Sequence, residues 1–268
     1  MMLEFILIFI IGLFIGSFLN CIVYRVYNNK SFIKGHSFCP NCKHKLGVLD
    51  LIPLFSYLSL RGKCRYCSQK ISPQYPIVEI LTGLVFLFVA FMLNVNFFTL
   101  GVFNLEFLNL LFYLFIASYF IMIFIFDCKW YIIPDGLTFS AIIITLIYLF
   151  SQTFILNVIT PEQLLFTVIS TFITFLFFFA LYFFSEGKAM GFGDVKLVIF
   201  LGLILGFPKI LPALFIAFGT GAIVGLIMMA LKKKGIKSEI PFGPFLVLGT
   251  FIALFFGNHL VDWYLGLM

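Results

Sequence analysis

The sequence predicts an all-α polytopic membrane protein of about eight transmembrane helices, with one small cytoplasmic loop domain resembling a zinc ribbon. Three observations predict it. Of the 268 residues, 63% are hydrophobic and only 10% are charged, too few ionic groups to cover a water-soluble surface. Apolar runs near the ~20 residues needed to cross a bilayer recur along the chain. Lys and Arg collect in alternate connections, as membrane insertion requires.

The first run, residues 3–26, opens a series of similar runs, so it reads as a retained span and not as a removable signal. Further runs cover residues 75–93, 105–126, 132–150, 163–184, 195–207, 210–231 and 242–267. Arg25, Lys30, Lys34, Lys43, Lys45, Arg61, Lys63, Arg65 and Lys70 cluster between the first two. Lys129, Lys188, Lys196 and the group Lys232, Lys233, Lys234 and Lys237 mark every second connection after that, and only Lys209 falls on the other side. Connections 94–104 and 151–162 hold no Lys or Arg. This alternation predicts eight crossings with both termini outside. It also accounts for the net charge of +6 without a nucleic-acid partner, which would need a basic face on a folded soluble unit. The run at 195–207 has 13 residues, about 20 Å of helix against a hydrocarbon core of about 30 Å. Starting that helix below the cytoplasmic interface sinks Asp194 into the membrane edge. Pro208 and Pro212 shape the turn that follows. The 40 phenylalanines predict packing and lipid contact but no chemistry.

Residues 28–74 form the one sizeable polar segment, giving three parts: residues 1–27 as the first helix, 28–74 as a four-cysteine loop domain, and 75–268 as the membrane core. Within the loop, "CPNC" (Cys39, Cys42) and "CRYC" (Cys64, Cys67) are separated by 21 residues. This is ribbon spacing for tetrahedral zinc. A disulfide pair is the competing reading, but the charge pattern places the loop in the reducing cytoplasm. So small a segment has little core, and a metal supplies folding energy. Four thiolates fill the coordination sphere, which predicts a structural ion and leaves His36 and His44 as surface residues. Cys21 and Cys128 read as small buried hydrophobes.

Ionisable groups inside spans are functional candidates. Asp127 ends the third helix in "FDCKWYIIPD" and Asp194 opens the sixth in "GFGDVK". Two crossings separate them, so both face the cytoplasmic side. Paired aspartates hydrolyse an amide when one carboxylate draws a proton from water and its protonated partner donates one. Close approach keeps both from ionising together. Asp194 at a helix N-terminus reads as the base, and Asp127 at a C-terminus as the acid. Gly191 and Gly193 are expected to supply unusual backbone geometry and room for a peptide.

Blander readings stand beside these. Asp135 caps the fourth helix, Lys196 snorkels to the interface, and Glu79 is either a satisfied buried group or part of an active cavity. The aspartates also suit a proton-coupled transporter with a zinc-stabilised loop. A transporter would place them near the midplane and show an internal repeat, and no convincing repeat is present. HExxH is absent, which argues against a metalloprotease.

The chain resembles the bacterial type IV prepilin peptidases, also called prepilin leader peptidase/N-methyltransferases, of the GxGD aspartic protease kind. The resemblance rests on "GSFLNCIVYR" (16–25), the double CxxC loop, "DLIPLFSYLSLRGKCRYC" (50–67), "SPQYPIVEILTG" (72–83), the D-x5-IPD segment (127–135), "MGFGDVK" (190–196) and "IPFGPF" (240–245), in family order. It implies that Asp127 and Asp194 are the catalytic pair. The implied reactions are cleavage of the basic leader of prepilins or pseudopilins at the cytoplasmic face, then N-methylation of the new N-terminal residue with S-adenosylmethionine. A multi-pass location in the bacterial cytoplasmic membrane follows. The intact cysteine loop favours the two-activity form. No nucleotide-type glycine fingerprint marks a donor site, and "GLILGF" reads as helix packing.

Overall fold

The computed structural model describes residues 2–31, 35–94, 105–188, 190–231 and 240–267. Lys34, the lysines at 232–237 and most of the 94–104 connection lie outside the described residues. Nine α-helices run through the described residues: α1 Met2–Tyr27, α2 Phe55–Ser59, α3 Gln74–Met92, α4 Leu105–Trp130, α5 Asp135–Phe150, α6 Pro161–Phe184, α7 Phe192–Leu205, α8 Ile210–Ala230 and α9 Gly243–Leu265. Seven are long and apolar enough to cross a membrane: α1, α3, α4, α5 with its extension to Ile155, α6, α8 and α9. The chain divides into two compact units, Met1–Met122 and Ile123–Met268.

In the first unit α1 packs along α3, with the cysteine loop between them in sequence. Small residues set the spacing. A Cβ on Gly12 would lie 2.6 Å from Gly83 Cα, and one on Gly16 would lie 2.8 Å from Glu79 Cα. Backbones approach this closely only where side chains are absent. The loop itself has almost no apolar interior, with one 3-10 turn at Val48–Asp50 and the single-turn α2.

In the second unit α7 is the centre. Val195, Leu197, Val198 and Phe200 are fully buried, with α5, α6, α8 and α9 packed around them. A helix apolar on all sides is a buried helix. That explains how 14 residues, about 21 Å, suffice here: α7 is covered by protein over most of its surface. Between α8 and α9 the contact is closer still, since a Cβ on Gly249 would lie 2.3 Å from Ala213 O. Outward faces carry exposed Phe, Leu and Ile, including Phe184, Phe215 and Leu226, a surface suited to hydrocarbon.

Local chemistry moved several helix ends from their expected places. α6 begins at Pro161, two residues before the apolar run, because Thr160 Oγ1 accepts from Gln163 N while Gln163 Oε1 accepts from Thr160 N. α5 continues as a π-turn over Ser151–Ile155, where the Ser151 and Thr153 hydroxyls donate to Tyr148 O and Leu149 O. α4 runs to Trp130, so Asp127 lies within its last turn.

Candidate active site and metal centre

Three helix termini of the second unit meet at one end. The segment after α4 passes α7 at Ile133, and a Cβ on Gly193 would lie 3.2 Å from Ile133 Cβ. Lys196 of α7 then pairs with Asp135 at the start of α5. These contacts hold the α4 C-terminus beside the α7 N-terminus, which brings Asp127 and Asp194 to the same level. Both carboxyl groups are buried, at 5% and 8% exposure, and the charge of Asp127 acts on Asp194.

The third terminus is α9. Gly243, its first residue, donates its backbone N–H to Asp127 Oδ2 at 2.8 Å. A free N–H at a helix start stabilises negative charge. This weakens the expectation that Asp127 is the acid, because its position near the α4 C-terminus is offset by the α9 N-terminus. Phe242, just before Gly243, packs its ring on Phe218 at 5.1 Å and on Phe178 at 6.5 Å, fixing where α9 starts. Gly243 had no expected role, although "FGPF", a proline just inside a helix start, was a legible signal for that terminus.

The glycines of GxGD act differently from expectation. Gly191 has φ −73° and ψ 149°, ordinary extended backbone, and a Cβ there would meet Asp194 Oδ2 at 3.8 Å, an ordinary contact. Gly193 lies inside α7 and is small because Ile133 packs on it. Asp194 is the third residue of α7, not the residue before it. Asp135 makes no capping hydrogen bond and pairs with Lys196 instead, whose Nζ also lies 5.2 Å from the Phe192 ring centroid.

The cysteine loop consists of two matching knuckles. In the first, Cys39 N donates to His44 O and Lys43 N to Cys39 O, closed by a bridge between Phe38 and Lys45. In the second, Cys64 N donates to Gln69 O and Ser68 N to Cys64 O, closed by a bridge between Lys63 and Lys70. Lys43 and Ser68, each just after its second cysteine, have φ of 59° and 57°. The four Sγ atoms of Cys39, Cys42, Cys64 and Cys67 lie within 4.8 Å of one another, and Cys39 and Cys67 are 3.9 Å apart. A tetrahedral ion with Zn–S of about 2.3 Å requires sulfurs about 3.8 Å apart, so the donor set fits. His36 and His44 are exposed, and the His44 ring lies 3.7 Å from that of Tyr66.

A polar brace crosses the knuckles. Asp50 accepts from Gly47 N at 3.1 Å, Arg65 Nε at 2.7 Å and the Tyr66 hydroxyl at 3.0 Å. Burial pushes the Asp50 carboxyl up, but these donors outweigh it and hold its pKa below the ordinary 3.8. Glu79 on α3 accepts from Leu54 N at 2.9 Å, and Leu54 itself sits at φ 59°, which disfavours side chains. Glu79 is therefore a satisfied buried group that ties the loop to a helix.

With these geometries in place, two family descriptions match: Bacterial Peptidase A24 N-terminal domain over residues 10–93 and Type IV leader peptidase family over residues 114–226. A prepilin leader peptidase/N-methyltransferase of Aeromonas hydrophila is 32% identical, the match covering 98% of this chain and 94% of the relative. The chain belongs to the type IV leader peptidase family. Enzymes of the same name from Legionella pneumophila, 31% identical over 96% of this chain and 94% of the relative, and Pectobacterium carotovorum subsp. carotovorum, 31% over 90% and 88%, agree. No solved structure matches. Asp127 and Asp194 fall in the leader peptidase match and the four cysteines in the N-terminal one, whereas Gly243 lies beyond both.

Proposed function

We propose that the protein is a membrane aspartic endopeptidase that removes the leader of type IV prepilins or pseudopilins and then methylates the exposed N-terminal amine. The observation that carries the reading is the meeting of α4, α7 and α9 termini around Asp127 and Asp194, within a chain whose relatives bear that name.

In the proposed cleavage one carboxylate takes a proton from water, whose oxygen bonds to the scissile carbonyl carbon. The protonated partner donates to the leaving nitrogen as the carbon–nitrogen bond breaks. The proton belongs to the pair, and the Gly243 N–H keeps Asp127 oriented toward it. Residues 28–74 form the metal-stabilised part: a zinc ion on Cys39, Cys42, Cys64 and Cys67 supplies folding energy and has no open coordination position. S-adenosylmethionine supplies the methyl group. The basic connections support a cytoplasmic side for the cysteine loop and the aspartates of this inner-membrane protein, with α7 as an eighth, protein-covered crossing. A basic leader stays on that side while its apolar segment lies in lipid. The transporter reading finds no support, since both aspartates sit at helix termini.

The test is the purified protein in detergent with a prepilin. Loss of a leader-sized mass followed by gain of one methyl is expected. Asp127→Asn and Asp194→Asn should each lower cleavage by at least about 100-fold. Full cleavage by either variant overturns the protease assignment.

A further inference from the structure

The loop between α1 and α3 is polar in composition, yet one stretch of it is not. From Val48 to Leu60 the only charged side chain is Asp50, already held by Arg65. Phe55 and Leu58 of α2 are 64% and 72% exposed, and Val48, Leu49 and Leu51 before them are exposed as well. The Val48–Asp50 turn lies against α2, so these side chains belong to one edge of the loop. A contiguous apolar patch on a folded unit marks a contact surface.

Its height relative to the membrane identifies the occupant. Residues 5–19 of α1 hold no charged or amide side chain; Asn20 follows, and its Nδ2 donates to Tyr75 O at the start of α3. This pair marks where the two spans leave the hydrocarbon. With 19 residues, about 28 Å, α3 needs its whole length to cross about 30 Å. Glu79 lies four residues past Tyr75, about 6 Å deeper, against Gly16 of α1. A helical side chain leans toward the N-terminus, so the Glu79 carboxylate returns toward the level of Tyr75. There it accepts from Leu54 N at 2.9 Å, which holds the start of α2 at the hydrocarbon boundary and not above it.

The backbone suits lipid too. Leu51 N donates to Val48 O, Ser56 N to Ile52 O, Leu58 N to Leu54 O and Leu60 N to Ser56 O. The stretch thus turns apolar side chains outward while its N–H groups are paired within the protein, the condition for contact with hydrocarbon. Lys45 before it and Arg61 and Lys63 after it are exposed, and basic side chains at this level attract anionic headgroups.

We propose that residues 48–58 are an interfacial anchor. α2 and the turn before it lie in the headgroup layer of the leaflet from which α1 and α3 emerge, with Phe55 and Leu58 entering the acyl boundary and the three basic residues on lipid phosphates. Cys64 follows Leu60 by four residues, so the anchor holds the knuckles down at the membrane surface.

The test uses the full-length, zinc-loaded protein in nanodiscs of phosphatidylcholine mixed with phosphatidylglycerol. Phe55→Trp and, separately, Leu58→Trp add a fluorophore to Trp130 and Trp263, whose emission is subtracted with the wild type, and unchanged zinc content checks that the loop is folded. Each added tryptophan should lose about half or more of its emission to lipids brominated near the headgroup, and little to aqueous acrylamide. Emission open to acrylamide and untouched by brominated lipid means that the patch faces water and overturns the anchor. Emission shielded from both quenchers means that protein covers the patch, through a second copy or another part of the chain, and overturns a lipid occupant. Arg61→Gln with Lys63→Gln, in the Leu58→Trp background, should weaken the bromine quenching in phosphatidylglycerol-rich discs but not in phosphatidylcholine alone. Identical quenching with and without the two charges in phosphatidylglycerol overturns their part in the docking.

Discussion

Gly243 and Asp127 are in contact across 116 positions of sequence: the Gly243 N–H donates to Asp127 Oδ2 at 2.8 Å, and a methyl on Gly243 would lie 2.6 Å from the same oxygen. Real Cβ atoms essentially never approach so closely, so Gly243→Ala must displace either the carboxylate or the start of α9. A misplacement of about 1 Å at a reacting group costs about 100-fold in rate. Leader cleavage should fall by that order in kcat, with prepilin affinity little changed. Unaltered turnover would remove Gly243 from the account of the site.

The two glycines of GxGD should respond unequally. Gly191→Ala meets only an ordinary contact at 3.8 Å with Asp194 Oδ2 and keeps a permitted backbone, so cleavage within a few-fold of wild type is expected. Gly193→Ala presses on Ile133 at 3.2 Å, in the segment leading from Asp127, and should cost more in both thermal stability and turnover. Equal losses would mean that the substrate, not the fold, requires the glycine before Asp194.

How far the sequence revealed this arrangement depends on what kind of signal each part leaves. Long apolar runs mark α1, α3, α4, α5, α6, α8 and α9 because crossing lipid demands length and hydrophobicity over a whole segment. Cys39, Cys42, Cys64 and Cys67 were legible because metal ligation fixes residue type and spacing together. Asp127 and Asp194 stood out because carboxylates at the ends of apolar runs are rare. Contacts made by backbone groups or between distant segments leave no such mark. The Gly243 N–H, the Asp135–Lys196 pair and the Asp50 brace each join a residue to a partner that no local pattern announces. The start of α6 is a different case: the Thr160–Gln163 capping pair is a local pattern, and hydropathy limits alone pass over it.

Zinc removal should separate the two activities. With the buried Cys39 and Cys64 held together with Cys42 and Cys67 at the centre of the two knuckles, chelation or Cys39→Ser with Cys42→Ser should collapse the loop. One zinc per chain by elemental analysis is expected for the wild type. Methylation should be lost almost completely, while leader cleavage, carried by the second unit, falls only a few-fold. Equal loss of both would show that the loop supports the aspartate site too.

Asp50 gives a pH signature with a definite sign. Its folded pKa lies below the ordinary value of 3.8, so its contribution is present above that value and is lost as pH falls through the folded value. The Asp50 side chain is 6% exposed, but its Arg65 partner is 45% exposed, so solvent screening keeps the effect to about 1 kcal/mol at most. Acid also strips metal from thiolates, so the informative quantity is the difference between wild type and Asp50→Asn. Hydrogen exchange over residues 47–66 should show a constant difference between about pH 5 and pH 7 that disappears toward pH 2. A difference that grows in acid would reverse the sign.

Lys196 and Asp135 offer the most direct test of how the aspartates are brought together. Asp135 opens α5 and Lys196 lies two residues after Asp194, so their pairing ties the segment following Asp127 to the helix bearing Asp194. The lysine side chain is largely covered, at 16% exposure, while the aspartate is 62% exposed, so bulk solvent reaches the pair and high salt should weaken it. Asp135→Lys leaves two cations facing each other and should lower cleavage by about tenfold, chiefly in kcat, with little change in zinc content. Lys196→Asp should do the same through two facing carboxylates. Combining the exchanges restores opposite charges across the same gap, and activity several-fold above either single variant is the expected result of the double-mutant cycle. If the losses simply add, the pairing contributes nothing to the alignment of Asp127 with Asp194, and the contact between Ile133 and Gly193 must carry it alone.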